Sequence, residues 1–293
     1  MGFDVKGQSV SNEAFLVETI EDVAEPGEGA AKEGESLLSS LGRALSVLDM
    51  FSLSTPLVAV EEIIAQLGCS RSTAYRYLKE LSDVGLLSPA SNGSYGLGAR
   101  IIELERLVAL TDPLYRAGQE VLHGRPCDNS ALLLHSLYGD KVLCIFKEGP
   151  DALEHDGKRI IIRRARGLPF PLFQGAASLA LLPYLSAHRI REIYLRSPAE
   201  IAAAGLGDSW DQFRRAMATI RRAGYATSHG RITPYLSGVA VPILPPDGSR
   251  VVGSLARTIP TAALSAEAEA QAAAELAELG QRIAERYLAL LRA

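Results

Sequence analysis

Residues 60–97 read V-E-E-I-I-A-Q-L-G-C-S-R-S-T-A-Y-R-Y-L-K-E-L-S-D-V-G-L-L-S-P-A-S-N-G-S-Y-G-L, and this stretch decides the fold of the first hundred positions. Its spacing predicts a helix, a tight turn, a second helix and two short strands around a polar loop. In the second helix, Ala74, Tyr77, Leu78 and Leu81 recur at i, i+3, i+4 and i+7, which makes one buried stripe. Arg71, Ser72, Tyr75, Arg76 and Lys79 fall on the opposite side. Gly68 suits the left-handed conformation that ends the first helix. Ser70 or Ser72 can cap the second by accepting its orphan N–H groups, and Gly85 closes it. A helix-turn-helix followed by a two-stranded wing is built to lay one helix in the major groove of DNA. Three cations, a hydroxyl and an aromatic on one exposed face suit phosphates and base edges. The recognition helix is expected over residues 70–84, with Arg71, Ser72, Tyr75 and Arg76 nearest the bases. Lys79, Asn92 and Ser94 are phosphate candidates, and Ser70 and Thr73 complete the set.

Charge summed over the module adds nothing to this reading. Residues 37–100 hold five basic side chains (Arg43, Arg71, Arg76, Lys79, Arg100) and five acidic ones (Asp49, Glu61, Glu62, Glu80, Asp83). Position carries the argument: three of those cations share one helical face, and that local field is what a phosphate backbone would meet. The whole chain has a formal net charge of −4, which excludes a histone-like, sequence-blind binder. Residues 1–36 carry nine acids against Lys6 and Lys32, a net of −7, so the remainder carries +3. That arm includes E-P-G-E-G-A-A-K-E-G-E, lacks periodicity and reads as disordered.

With 293 residues, 47% of them hydrophobic, the chain can bury a substantial core and is expected to make two domains. The expected division is an acidic arm over 1–36, a winged helix-turn-helix over 37–98, a linker helix over 99–112 and a second domain over 113–293. Cys69, Cys127 and Cys144 are odd in number and lack CxxC spacing, so a reducing compartment is expected. No apolar run reaches membrane-spanning length and the start lacks a secretory pattern, which makes the cytoplasm the default location.

Outward from the module, residues 41–51 supply its first helix, with Leu41, Leu45 and Leu48 on one face and Ala44 beside them. After the wing, A-R-I-I-E-L-E-R-L-V-A-L predicts an amphipathic helix with the stripe Ile101, Leu104 and Val108. It is either a linker or dimer seam, or a spacer packed on its own module. Pro113 suits the first turn of the helix that follows. Beyond residue 128 the pattern changes. Residues 130–137 and 141–147 are β-prone runs joined at Tyr138-Gly139-Asp140, a hairpin signal. A third strand is expected over 159–164, helices over 176–185, 187–195 and 209–223, and strands over 225–229, 238–244 and 250–258. Ser265 is expected to cap a last helix reaching residue 291. Strands interleaved with helices make an α+β domain. Strand parity puts Ser254, Ala256 and Thr258 on one face, where small side chains suit either a ligand pocket or plain sheet packing.

The order of these parts resembles the isocitrate lyase regulator (IclR) family of bacterial transcription factors. The resemblance runs from about Leu37 onward and is carried by L-G-R-A-L-S-V-L-D, S-R-S-T-A-Y-R-Y-L-K-E-L, N-G-S-Y-G-L-G, R-A-R-G-L-P-F-P-L, R-R-A-G-Y-A and G-V-A-V-P-I-L-P-P-D-G-S-R-V-V-G-S-L. It implies a winged helix, a linker helix and a C-terminal effector domain with a GAF-like α/β fold. It also implies promoter DNA as a partner, a dimer or tetramer as the working form, and a small organic effector, aromatic or carboxylic. The pocket positions it suggests are Phe173, Gln174, Gly175, Ser178, Ser228, Gly238, Ala256 and Thr258. Where relatives typically read His-x-Thr-Ala-x-Gly-Lys, this chain has Phe173-Gln174-Gly175-Ala176-Ala177-Ser178-Leu179, and the carboxylate and cysteine usual near Ser228 and Gly238 are missing. These departures favour a larger or more apolar ligand. Phe170, Phe173 and Gln174 form a segment that either closes over a ligand or anchors a loop.

Catalysis finds no footing. His123, His135, His155, His188 and His229 show no HExxH pattern, and there is no Gly-x-Ser-x-Gly elbow, P-loop or dinucleotide fingerprint. Gly124 and Pro126 spoil a ligand pair between His123 and Cys127, so neither metal nor cofactor is expected. The run Lys158, Arg159, Arg163, Arg164 and Arg166 reads as a strand with charged ends, which form either an acid-binding rim or, in preference, a solvated edge. Two rival readings stay open: a second domain that only oligomerises, and a small-molecule enzyme with a winged-helix appendage.

Overall fold

The computed structural model describes residues 39–139, 141–162 and 166–292. The acidic arm over 1–36, Asp140, Arg163, Arg164 and the side chain of Phe170 lie outside what is described. The chain separates into two compact units that meet in sequence between Ile102 and Glu103.

The first unit begins with α1 (Ser40–Leu45), a 3₁₀ turn (Ser46–Met50) and the short strand β1 (Val58–Ala59). The helix pair follows as α2 (Val60–Leu67) and α3 (Arg71–Asp83), and the wing as β2 (Leu87–Pro89) and β3 (Ser94–Leu97). Glu62 accepts a hydrogen bond from the Ala59 N–H at 2.7 Å and so fixes the start of α2. Gly68 ends it at φ 57°, where a side chain would be strained. Leu86 N–H donates to the Leu81 carbonyl, the bond that closes a helix through a left-handed residue, here Gly85 at φ 76°. The core is Val47, Val58, Val60, Ile63, Leu78, Leu81 and Leu87. Burying each of these larger side chains contributes roughly 2 kcal/mol.

Two expectations about this unit need correction. The first helix is α-helical only to Leu45, and its inward face is Ala44 and Val47; Leu41 and Leu45 point to solvent. β1 was not expected, yet it pairs with β3 and gives the sheet the order β1-β3-β2. Two residues leave too short an alternation to read.

α4 (Ala99–Thr111) carries the chain across the boundary. Of its apolar residues only Ala109 is buried, and the stripe residues Leu104 and Val108 lie exposed on the single chain. α5 (Pro113–Leu122) starts at once, with Asp112 capping it through the Tyr115 N–H at 2.7 Å.

In the second unit, β4 (Ala131–Tyr138) and β5 (Lys141–Glu148) form the expected hairpin. A second hairpin, β6 (Ala152–His155) and β7 (Lys158–Ile161), turns at Asp156-Gly157. β8 (Pro169–Pro171) is the edge strand where its prolines are tolerated. The helices α6 (Ala176–Leu181), α7 (Ala187–Arg196), α8 (Pro198–Ala203) and α9 (Trp210–Ala223) follow. Then come β9 (Ala226–His229), β10 (Leu236–Ile243), β11 (Gly253–Pro260) and α10 (Ala266–Arg292), which Ser265 caps through the Ala268 N–H.

The main sheet has the order β8-β5-β4-β11-β10-β9. Parity divides its faces. Leu132, Leu134, Val239, Val241 and Leu255 join α5 and α10 in one core, with Leu276, Leu279 and Ile283 as the helical side. Ala240 and Ala256 face the other way, into a core with Ala176, Ala177 and Phe213. The sheet is thus covered by helices on both faces, as the GAF-like reading requires.

Gly253 shows how closely β11 meets β4. A Cβ there would lie 2.4 Å from the His135 carbonyl oxygen and 3.0 Å from the Leu114 side chain. Gly253→Ala is therefore expected to cost about 1–3 kcal/mol. Urea unfolding should show a lower midpoint at unchanged slope.

Candidate functional site

The first candidate is the outer face of α3. Its stripe is buried as spaced, with Ala74 and Leu78 at 0% exposure, and the Ser70 hydroxyl accepts from the Thr73 N–H at 3.3 Å. Ser70 also lies 3.0 Å from both the Ser72 and Thr73 hydroxyls, which knits the three into one capping group. Because the stripe is locked inward, Arg71, Ser72, Tyr75, Arg76 and Lys79 are held outward, and all five are exposed. Two of the cations have internal partners. Arg71 lies 3.2 Å from Glu61, and Lys79 pairs with Asp83 one turn on. Both pairs are well exposed and screened by solvent, so they hold these side chains only loosely. Arg76 makes no ion pair among the described residues; its guanidinium sits 5.6 Å from the Tyr77 ring. At the wing tip, Asn92 is exposed at φ 58° and Ser94 is half-buried, its hydroxyl donating to the Ser91 carbonyl.

The second candidate is a cavity on the α6 side of the sheet, with about 60 Å³ of enclosed space. Leu133 and His135 of β4, Ser228 of β9, Gly238 of β10, and Ala256 and Thr258 of β11 form its sheet wall. Ala176 and Ala177 face them from α6, and Ile162, Ile232, Thr233, Leu236 and Ser237 complete the lining. A neighbouring cavity of about 290 Å³ shares Ser228 and is lined by Phe173, Gly175, Leu179, Ala204 and Arg231 among others.

Of the expected pocket positions, Ser228, Gly238, Ala256 and Thr258 thus meet in one cavity, while Phe173 and Gly175 line the other. Ser178 is a correction. It is fully buried and donates to the Gln174 carbonyl at 2.5 Å, so its hydroxyl is spent on its own helix and lines neither cavity. Gln174 is exposed and lines neither. The Ser228 hydroxyl also has a structural task, accepting from the Ala176 N–H at 3.0 Å.

His135 was not on the expected list. Its signal was parity, since it stands two residues after Leu133 on the same strand face. Burial pushes its imidazole down to about 4, so it is neutral at pH 7. Arg166 also departs from expectation. Rather than a solvated edge, it pairs with Glu105 of α4, donates to the Ile145 carbonyl at 3.1 Å and lies over the Tyr115 ring. Burial makes Cys144 inert, its thiol pushed up to about 12. Among the described residues there is no group of three His, Cys, Asp or Glu side chains placed to hold a metal.

Family models match both units. Residues 40–90 fit the IclR helix-turn-helix domain, and residues 134–285, more than half the chain, fit the bacterial transcriptional regulator IclR C-terminal domain. The chain belongs to the IclR family of transcriptional regulators. Among curated IclR-type relatives, the regulator KipR of Bacillus subtilis is 23% identical over 69% of this chain and 78% of its own. XynR of Escherichia coli is 25% identical over 88% and 97%. An IclR regulator from Alicyclobacillus acidocaldarius superposes with a TM-score of 0.68 at 25% identity, covering 85% of this chain and 99% of its own. An IclR homologue from Microbacterium hydrocarbonoxydans, solved with 4-hydroxybenzoate, has a TM-score of 0.60 at 24% identity, covering 86% and 100%. Both matching models are those of transcriptional regulators that bind DNA.

Two outcomes follow from this geometry. The double variant Arg76→Ala/Lys79→Ala should bind operator DNA at least tenfold more weakly and with a shallower salt slope, at unchanged melting temperature. Unchanged affinity and slope in a salt titration would remove this face from the interface. For His135, the folded state holds the ring neutral while the unfolded chain protonates near the ordinary value of 6.5. The stability this supplies is complete above pH 6.5 and is lost as pH falls towards 4, by up to about 3 kcal/mol. Urea unfolding of wild type against His135→Gln between pH 7 and pH 4.5 should show the wild type losing stability faster.

Proposed function

We propose that this IclR-family regulator is ligand-responsive, works in the cytoplasm, and reads promoter DNA with α3 in the major groove. A small organic molecule in the cavity beside α6 then changes the strength of that contact. The observation that carries the DNA half is the opposition on α3 of a fully buried apolar stripe and an exposed face with three cations. Arg71, Ser72, Tyr75 and Arg76 are assigned to base edges, helped by Ser70 and Thr73 at the helix start. Lys79, Asn92 and Ser94 are assigned to phosphates, so they position the module without reading sequence. Ser228, Gly238, Ala256 and Thr258 are assigned to the effector. The 4-hydroxybenzoate complex of the Microbacterium homologue supports a small aromatic as the kind of molecule to test.

The working form is a homo-oligomer, at least a dimer. Its support is the apolar surface left uncovered on the single chain: Ile102, Leu107, Val108 and Leu110 on α4, and Leu41 on α1. Two-fold pairing of recognition helices is also what half-sites one helical turn apart demand.

Coupling has a physical route within the second unit. Behind the cavity wall, Arg257 of β11 pairs with Glu275 of α10 at 2.7 Å, and Arg286 of α10 pairs with Glu120 of α5. α5 follows α4 directly, and Arg166 ties α4 to this unit through Glu105. A ligand that shifts this wall shifts the mount of α4, and the coupling is reciprocal by thermodynamic necessity.

Footprinting on the gene's own upstream region, with and without candidate aromatic and carboxylic metabolites, tests the reading. A genuine effector should alter protection and raise the melting temperature by mass action. Protection that no metabolite alters would leave a DNA-binding protein whose second domain only oligomerises. Arg166→Ala should keep operator affinity within about twofold while shrinking the effector's influence on it, which in such systems is about 5- to 150-fold.

A further inference from the structure

We infer that the cavity between α6 and the sheet, lined by Thr233 and Thr258, takes an uncharged compound, with an apolar body and hydroxyl or carbonyl groups, rather than an organic acid. The inference deepens the effector reading above and rests on it.

The wall chemistry leads there. No Lys or Arg is among the described residues lining this cavity. Arg231 lines only the neighbouring cavity, where its guanidinium donates to the Ala203 and Ala204 carbonyls at 3.2 and 3.3 Å. The backbone donor at the start of α6, the Ala176 N–H, is occupied by the Ser228 hydroxyl. The buried imidazole of His135 is neutral, so it brings no positive charge either. A carboxylate taken into such a site would lose its hydration without gaining a counter-charge from the described lining, an unfavourable exchange.

The same wall suits an uncharged polar ligand. The Thr233 and Thr258 hydroxyls make no hydrogen bond among the described residues, although Thr233 is buried and both line the cavity. Each can donate and accept. Ser228 accepts from Ala176 and keeps its own proton to donate. Ser237 is not available in this way, being 2.9 Å from the Thr261 hydroxyl. Beside these hydroxyls, Leu133, Ile162, Ile232 and Leu236 give an apolar surface for the body of the molecule. Desolvated hydroxyls left without partners weaken binding of any molecule that lacks matching groups, so these threonines also select.

Matched acid and amide pairs test this with the intact protein: 4-hydroxybenzoate against 4-hydroxybenzamide, 4-hydroxyphenylacetate against its amide, and 3-phenylpropanoate against its amide, by calorimetric titration. The amide should bind at least about tenfold tighter than its acid in the best-binding pair. Thr258→Val and Thr233→Val keep the side-chain shape, and each should weaken that amide by about tenfold. The melting temperature of the free protein should stay within a degree or so of wild type. An acid that binds as tightly as its amide, or amide affinity indifferent to both valine variants, overturns the inference and leaves the effector site standing. Binding by no member of any pair sinks the effector reading itself, and this inference with it.

Discussion

The alternation of side chains along β10 and β11 is the constraint on which the second unit depends. Their register pairs Gly238 with Thr258 and Ala240 with Ala256, and so places the small residues of both strands on one face. Val239, Val241 and Leu255 then go to the other face, where α5 and α10 close over them. A slip of one residue would exchange the faces, filling the cavity with valine and leucine and opening the core to alanine and glycine. Core and cavity are therefore two consequences of one register. The same packing makes a shift at the cavity wall felt at α10, because close-packed interiors transmit displacement rather than absorb it.

The first unit solves a different problem with the same economy. Its recognition helix needs an outward face that is polar and fixed, and the fixing comes from inside. Ala74, Leu78 and Leu81 lock the rotation of α3, while Ser70 locks its start. What remains free is short-range adjustment of arginine and lysine side chains, already loosely held by Glu61 and Asp83. Those carboxylates offset two of the three cations on the exposed face of α3.

Much of this was legible in the sequence where the determinants are local. The stripe, caps and closing glycine of α3 lie within sixteen residues, and each is observed where its spacing put it. The parity of Ser254, Ala256 and Thr258 likewise needed only strand period. The errors fall where tertiary packing decides. Leu41 and Leu45 are apolar at helical spacing, yet Ala44 and Val47 are the residues turned inward. The stripe on α4 was readable, but not whether anything covers it. Asp156-Gly157 is a strong hairpin signal, but Glu154 and His155 break the apolar alternation of β6, so only its partner strand was visible. Among the pocket positions, Ser178 could not be separated from Ser228 by sequence, since each is a small hydroxyl beside α6. Only coordinates show that one hydroxyl turns back on its own helix and the other reaches across from β9.

Whether α3 lies in the major groove is the claim on which a regulatory role stands, and dimethyl sulphate footprinting addresses it most directly because the reagent attacks guanine N7 there. On the gene's own upstream region, the protein should shield N7 atoms in two half-sites about one helical turn apart. That shielding should vanish for Arg71→Ala/Arg76→Ala. DNA that is bound by the wild-type protein while every guanine N7 remains open to methylation would contradict the account.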